Sequence, residues 1–92
     1  MTRGKMYKAK IHVTLKKSVL DPQGKTVLHA LGSMGFNEAK DLRVGKYFEL
    51  ALEAANQNEA QKKVKEMCDK LLVNTVIEDY FFELSDEVGG KR

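Results

Sequence analysis

The side chains able to carry chemistry are few and widely separated in this sequence. His12, His29 and Cys68 have no partner at CxxC or HxxxH spacing, which argues against a zinc site. His12 lies among lysines in a predicted strand, where an exposed surface histidine is far more common than a general base. His29 sits beside Leu28 and is interpreted as packing at a core boundary. Cys68 falls on an apolar helix stripe, which predicts an inert core thiol because apolar burial raises a thiol pKa.

Acidic pairs and glycines give no catalytic or nucleotide-binding signature either. Glu78 and Asp79 are neighbours in a predicted strand and point to opposite faces, so they cannot act on one substrate. The second acidic pair, Asp86 and Glu87, is interpreted as a solubilising end. The sequence contains neither a GxxxxGK[ST] loop nor a GxGxxG fingerprint. We therefore expect no catalytic residue, no metal site and no cofactor bound by this chain.

Length and composition indicate one domain over residues 1–92, with an ordered core at about 6–84 and flexible ends at 1–5 and 86–92. The 92 residues are 42% hydrophobic and 32% charged, which suits a folded soluble protein. No apolar stretch approaches the roughly 20 residues that cross a membrane, and no signal-peptide core is found, so a cytoplasmic protein is expected. Because so small a core gives a thin margin of stability, we expect oligomerisation or docking on a larger partner.

Positive charge is concentrated near the N-terminus. Residues 1–17 carry six lysines and arginines and no acid, within a chain of net charge +3. Such a strip could meet nucleic acid or an acidic protein surface. A solvated outer strand face is the commoner role of a charge run, and we favour it.

The first half of the domain reads as a strand followed by a helix. Residues 7–15 alternate between apolar and polar side chains, as in a half-buried strand. Asp21 suits the N-cap of a helix and Pro22 its first position. Gly35 is well placed to end that helix. Its apolar stripe is predicted to consist of Val27, Leu28, Leu31 and Met34.

Residues 39–55 are strand-like but allow two interpretations. Gly45, Lys46 and Tyr47 could form a three-residue hairpin loop that pairs Val44 with Phe48. One long bent strand would keep the same parity, although a strand over this whole range would exceed the usual strand length. We favour the hairpin.

The second half of the domain reads as another helix and a last strand. Asn56 or Asn58 can cap the helix, with an acid or amide three residues later as in a capping box. Its buried stripe is predicted to consist of Ala60, Val64, Met67 and Leu71. Asn74 suits a left-handed turn after it. A strand over residues 76–84 is apolar on both faces, which suggests that something covers the second face.

These elements predict an α+β fold: a two-layer, ferredoxin-like βαββαβ sandwich with both helices on one face of an antiparallel sheet. The other face is expected to serve oligomerisation. Sheets of this class can also stack RNA bases on aromatic side chains, but the segment at residues 44–50 breaks the RNA-recognition pattern. A stand-alone ligand- or RNA-binding module remains the alternative function.

Three segments, in order and at suitable spacing, resemble motifs of the PurS family. Residues 16–24 (KKSVLDPQG) are similar to its LKxxVLDPQG opening, and residues 43–50 (RVGKYFEL) to its RxGKxxEL segment. Residues 67–80 (MCDKLLVNTVIEDY) resemble MCxxLLANPVIExY, with Thr75 in place of the usual proline. That departure removes a fixed φ from the turn before the last strand.

The resemblance implies a small non-catalytic subunit of phosphoribosylformylglycinamidine (FGAM) synthase, in de novo purine biosynthesis. Such a subunit bridges the synthetase (PurL-type) and glutaminase (PurQ-type) subunits and supports ammonia transfer between them. It implies a homodimer or dimer of dimers, with no nucleic-acid and no membrane partner. The complex uses ATP, magnesium and glutamine, whereas the small subunit binds no cofactor.

The resemblance also implies candidate partner-interface residues. Asp21 starts the first helix, and Gly24 is expected to let another backbone approach that helix closely. An exposed, positively charged turn is expected at Arg43, Gly45 and Lys46. Asn74 and Glu78 are expected to bracket the last turn. The candidate partner-interface residues are therefore Asp21, Gly24, Arg43, Gly45, Lys46, Asn74 and Glu78.

Overall fold

The computed structural model describes residues 4–87, in which three strands alternate with two helices. The elements in chain order are β1 (Lys5–Leu15), α1 (Pro22–Ser33), β2 (Gly45–Ala54), α2 (Gln57–Met67), a π-helical turn (Cys68–Leu72) and β3 (Glu78–Glu87). β1 lies between β2 and β3 and pairs antiparallel with both. This is the predicted α+β, ferredoxin-like arrangement, with one strand fewer among the described residues than expected.

Strand register decides which side chains share a face of the sheet. Ile11 pairs with Phe48 and Phe82 on the side covered by α2, whereas the next residue, His12, pairs with Tyr47 and Phe81 on the opposite side. We call that opposite side the open face. The open face carries Lys8, Lys10, His12, Thr14, Tyr47, Glu49, Ala51, Glu53, Asp79, Phe81, Glu83 and Ser85.

The core lies between the sheet and α2. Its buried side chains are Tyr7, Ala9, Ile11, Val13, Leu52, Ala54, Ala60, Val64, Cys68 and Val73. On α2 the buried line therefore runs through Ala60, Val64 and Cys68, at spacing i, i+4 and i+8. Met67 and Leu71 were expected in this line and are exposed instead, because the buried line continues onto Cys68 and the wider π turn carries Leu71 to the solvent side.

Helix α1 forms as predicted but hardly touches the sheet. Asp21 is its N-cap, Pro22 its first residue, and Gly35 ends it with a positive φ of 97°. Among the described residues of α1 only Gly24 is buried, and the helix as a whole makes almost no contact with the strands. The helix layer predicted on one face of the sheet is therefore half complete.

The apolar stripe of α1 is only partly covered, because Leu28 and Leu31 are half-buried and its other two residues are exposed. Val27 is 42% exposed and Met34 is 70% exposed, and the apolar Phe36 just beyond the helix is exposed as well. The molecule is accordingly long and thin, at 60 × 31 × 14 Å. Its radius of gyration of 17.6 Å exceeds the roughly 12 Å of a compact domain of this length.

The predicted hairpin at residues 39–55 is wrong. Gly45 is the first residue of β2, which runs unbroken to Ala54 in register with β1. Residues 39–44 form no strand because their hydrogen bonds lead elsewhere. The amide of Val44 donates to Asp21, and the guanidinium of Arg43 donates to the end of β1.

The last strand begins later than predicted. β3 starts at Glu78, so Val76 and Ile77 lie in the preceding turn. Asn74 was expected to be left-handed, but no residue other than glycine has a positive φ among residues 4–87. Its side chain instead accepts a hydrogen bond from the amide of Val76 at 3.1 Å, which closes the turn locally.

The chain ends were expected to be flexible. Most of residues 1–5 and 86–92 lie outside the described part, although β1 includes Lys5 and β3 continues to Glu87. Within residues 4–87, no helix is both long and apolar enough to span a membrane.

Candidate functional site

A buried carboxylate joins the start of α1 to the segment before β2. One oxygen of Asp21 accepts the amide of Gly24 at 3.0 Å, and the other accepts the amide of Val44, also at 3.0 Å. These two backbone donors hold the pKa of Asp21 below its usual range, because they stabilise the ionised form. Asp21 therefore caps α1 and also joins this helix to the segment that leads into β2.

Close contacts around position 24 leave no room for a side chain, so glycine is required there. A Cβ on Gly24 would lie 2.5 Å from a carboxylate oxygen of Asp21 and 2.6 Å from the carbonyl oxygen of Leu42. The expectation that glycine lets another backbone approach the helix is confirmed. Gly45 is similarly constrained, since a Cβ there would collide with the carbonyl oxygen of Val13.

Arg43, Gly45 and Lys46 are exposed, as predicted, but they do not form a turn. The guanidinium of Arg43 donates to the carbonyl oxygens of Leu15 and Lys16, the latter at 3.3 Å, and so binds the last carbonyls of β1. Gly45 and Lys46 belong to β2 and form no loop. The positive charge of Arg43 thus serves the chain's own backbone, although its side chain borders solvent.

Lys46 and the last turn meet through Glu78. The ammonium of Lys46 lies 3.3 Å from one oxygen of Glu78, and the amide of Asn74 donates to the other at 2.8 Å. The amide of Glu78 in turn donates to the carbonyl oxygen of Asn74 at 2.8 Å. The backbone bond from Asn74 and the nearby Lys46 hold the pKa of Glu78 below its usual range. Asn74 and Glu78 therefore bracket the turn, as expected.

The seven candidate residues all lie at one end of the sheet, and we call this cluster the joint. It consists of Asp21, Gly24, Arg43, Gly45, Lys46, Asn74 and Glu78. Two shallow clefts meet at Asp21, one lined by Lys17, Lys25 and Arg43, the other by Lys46 and Glu78. The joint is a network of satisfied hydrogen bonds that sets where α1 leaves the sheet. Its use as a partner interface stays a prediction.

The residues with catalytic potential are not brought together among the described residues. Cys68 is fully buried, and burial raises the pKa of its thiol, as expected of an inert core cysteine. His29 is exposed on α1 instead of packing at a core boundary. Within residues 4–87, no three histidine, cysteine, aspartate or glutamate side chains group as metal ligands would.

Two features of the surface were not predicted from the sequence, although the open face itself was expected to serve oligomerisation. The first is the exposed stripe of α1, which was predicted as a stripe but not as an uncovered one. The second is on the open face, where His12 stacks on Phe81 at 4.6 Å between ring centroids and lies 5.0 Å from the ring of Tyr47. The alternation of side chains along the strands would have predicted this group of rings if the register of β2 had been known.

A further contact, outside the joint, connects β3 to the π-helical turn after α2. The hydroxyl of Tyr80 donates to Asp69 at 3.0 Å, and the other carboxylate oxygen of Asp69 lies 3.1 Å from the ammonium of Lys65. These bonds lower the pKa of Asp69, with the Lys65 contact as the larger cause. The π turn is thereby held against the sheet.

Fold and joint define a small α+β, ferredoxin-like domain whose polar residues organise its own backbone and whose apolar helix face is left for another molecule. Comparison with known proteins assigns the family. Residues 8–86 match the model of the PurS family, described as phosphoribosylformylglycinamidine (FGAM) synthase. The chain belongs to the PurS family, as the sequence motifs predicted.

Several relatives are similar over nearly their whole length. The PurS subunit of phosphoribosylformylglycinamidine synthase from Bacillus subtilis is 57% identical over 83 residues, which are 90% of this chain and 98% of that protein. A crystal form of B. subtilis PurS superimposes with a TM-score of 0.78, covering 86% of this chain and 98% of that one. A chain in the structure of PurLQS from Thermotoga maritima, 36% identical, superimposes with a TM-score of 0.78 over 89% of this chain and 98% of its own.

Proposed function

We propose that this chain is the small, non-catalytic subunit of phosphoribosylformylglycinamidine synthase and works in the cytoplasm beside a synthetase and a glutaminase subunit. The assembled enzyme converts formylglycinamide ribonucleotide to formylglycinamidine ribonucleotide in purine biosynthesis. It uses ATP, magnesium and glutamine, none of which this subunit binds as a cofactor. The observation that carries the proposal is the match to the PurS family over residues 8–86.

The role fits the physical character of the chain. The candidate residues are engaged in holding backbone segments together, so the chain offers surfaces and geometry rather than a reacting group. A bridging subunit needs such surfaces, because it must hold two enzymes close enough for ammonia to pass between them. A relative of this chain is part of a PurLQS structure, which agrees with that role.

The stripe of α1 is the surface that best suits self-association. Exposed apolar patches on small proteins mark interaction sites, and this stripe is more apolar than the open face, which carries charged side chains on every strand. A second copy would cover the stripe and complete the half-built helix layer of the sandwich. We therefore place self-association at α1, although the sequence had suggested the open face.

The alternative, a stand-alone RNA- or ligand-binding module, gains no support from the surface. In the middle of β1, Lys10 pairs with Glu49 on one side and Glu83 on the other, and the ammonium of Lys8 lies 3.9 Å from Glu49. Those carboxylates would repel a phosphate backbone. The basic N-terminal strip is thus part of a mixed-charge face.

Reconstitution tests the proposed function. Glutamine-dependent synthesis of formylglycinamidine ribonucleotide should be measured with the two companion enzymes, with and without this protein. We expect glutamine-dependent activity only when all three are present, while synthesis from added ammonia needs this protein less. Equal glutamine-dependent activity in its absence would refute the subunit role.

A further inference from the structure

An aromatic row crosses the open face. Tyr47, His12 and Phe81 come from three different strands and lie side by side, with Phe81 stacked on His12 at an interplanar angle of 17° and Tyr47 tilted by 44° to His12. Phe81 is 60% exposed and Tyr47 is 50% exposed. Two large rings thus present their surfaces to solvent at one place on the sheet, held there by the strand register.

Carboxylates lie on both sides of this row. Towards the middle of the sheet the next row consists of Glu49, Lys10 and Glu83. Towards the joint, Asp79 lies two residues before Phe81 on the same face and is paired with the ammonium of Lys16 at 2.9 Å. The phenol of Tyr47 already donates to Glu49 at 2.9 Å, so the ring and the carboxylate are held together. The open face as defined carries four carboxylates and two lysines, and Lys16 adds a third cation beside Asp79, so carboxylates remain in excess by one.

The geometry points to a docking site for an arginine-bearing segment of a partner subunit on this aromatic row. The inference rests on the proposed function and adds to it the face that one companion enzyme contacts. A guanidinium can stack flat on the exposed ring of Phe81 while its planar N–H groups donate to the carboxylate of Glu83. The excess of carboxylates complements a basic partner and disfavours an acidic one or a nucleic acid.

The choice of arginine over a plain apolar contact follows from the surroundings of the rings. A hydrophobic partner would have to remove the carboxylate oxygens of Glu83 from water without returning a hydrogen bond to them, which costs free energy. A guanidinium satisfies those acceptors and covers the rings at the same time. Self-association has the more apolar stripe of α1 available and does not require this face.

Binding measurements with four variants test the docking site. The affinity of wild-type protein for each companion enzyme should be measured by calorimetry at several salt concentrations. We expect Phe81→Ala to weaken binding to one of them about tenfold. Glu83→Gln should weaken it about threefold and make its salt dependence shallower. Leu71→Ala, which removes an 81% exposed side chain from a different surface, is the matched control and should bind like wild type.

Phe81→Leu separates a cation–π contact from ordinary apolar contact. Leucine restores most of the apolar area but no ring face, so we expect it to bind as weakly as Phe81→Ala. Wild-type affinity in Phe81→Leu, or in both Phe81→Ala and Glu83→Gln, would overturn the docking site. A change of self-association in Phe81→Ala, with partner affinity intact, would overturn it too and assign the face to a second copy.

The two proposals fail in different ways. If wild-type protein neither binds the companion enzymes nor supports glutamine-dependent synthesis, the proposed function is wrong. If wild type does both, and the Phe81 and Glu83 variants do both equally well, only the docking site is wrong. Circular dichroism of each variant confirms that a loss of binding is not a loss of folding.

Discussion

The two helices of this protein are of similar length but have opposite roles. α2 turns Ala60, Val64 and Cys68 into the core, while its other sides are polar. α1 has a longer apolar stripe yet buries only Gly24 among its described residues. The difference shows that the sequence divides its apolar residues between two tasks. Those on α2 stabilise the chain itself, and those on α1 are available to another molecule.

The largest expected effect distinguishes the contributions of the two helices to the free energy of unfolding. Val64→Ala removes buried methyl groups from α2 and should lower the free energy of unfolding by about 2 kcal/mol. Val27→Ala makes the same chemical change on the exposed stripe of α1 and should leave the stability of the isolated chain nearly unchanged. Urea denaturation at one fixed, low protein concentration compares the two variants. Equal losses would show that α1 is part of the monomer's core.

Two glycines of α1 sharpen the comparison. Gly24→Ala places a Cβ against Asp21 and the carbonyl of Leu42, so it should destabilise by about 1–3 kcal/mol despite the better helix propensity of alanine. Gly32→Ala meets nothing within 4 Å and should stabilise by about 0.5–1 kcal/mol. Thermal denaturation of both variants checks the signs. A stabilising Gly24→Ala would mean that the joint is loose.

The cap of α2 is expected to have a smaller effect. Asn56 accepts the amide of Glu59 at 2.9 Å, and the carboxylate of Glu59 accepts the amide of Ala55 at 2.9 Å. Asn56→Ala should therefore cost about 1 kcal/mol. Asn56→Asp keeps the acceptor and should retain the stability of wild type, which urea denaturation can show.

Acid should weaken the joint. The carboxyl groups of Asp21 and Glu78 have folded pKa values below their ordinary values of 3.8 and 4.5, so both stabilise the fold when ionised. Their contribution is complete above those ordinary values and is lost as pH falls through the lower, folded pKa values. The melting temperature should therefore fall on acidification below about pH 4.5, and less steeply in Glu78→Gln than in wild type. An identical slope in the variant would exclude Glu78 as a source.

The smallest expected effect comes from ion pairs on the solvent side of α2 and its π turn. Lys65 with Asp69 and Glu66 with Lys70 are i,i+4 pairs at 3.1 and 2.9 Å. Exposed pairs of this kind contribute about 0.3–0.5 kcal/mol each and are screened by salt. Lys70→Ala should thus change stability by no more than that, and the change should shrink in 0.5 M salt.

Local signals predicted the elements better than their packing. The caps at Asp21 and Asn56 and the stop at Gly35 are short-range chemistry and could be predicted from neighbouring residues. The hairpin predicted at residues 39–55 was wrong. The alternation of apolar and polar residues does not reveal that Val44 and Arg43 donate hydrogen bonds to residues far away in sequence, Asp21 and Leu15. The exposure of Met67 and Leu71 depends on a π turn, which the spacing of apolar residues did not predict.

The candidate residues were chosen by resemblance, and the structure groups them in one joint. What the motifs could not tell is how they are used. Arg43 and Lys46 are cations in a short segment, which suggested an exposed turn, yet each is engaged with the chain's own carbonyls or carboxylate. Their contact with a companion subunit is still a prediction. Lys46→Ala, which removes one ion pair whose lysine is half exposed, is the gentler variant for testing it.

Sedimentation analysis tests directly whether the stripe of α1 is an assembly surface. At micromolar concentration, the wild-type protein should sediment as a dimer or a larger assembly. The double variant Val27→Asp with Met34→Asp should stay folded by circular dichroism and sediment as a monomer, because two buried carboxylates without partners would oppose association. A monomeric wild type, or a double variant with the mass of the wild-type assembly, would contradict the account.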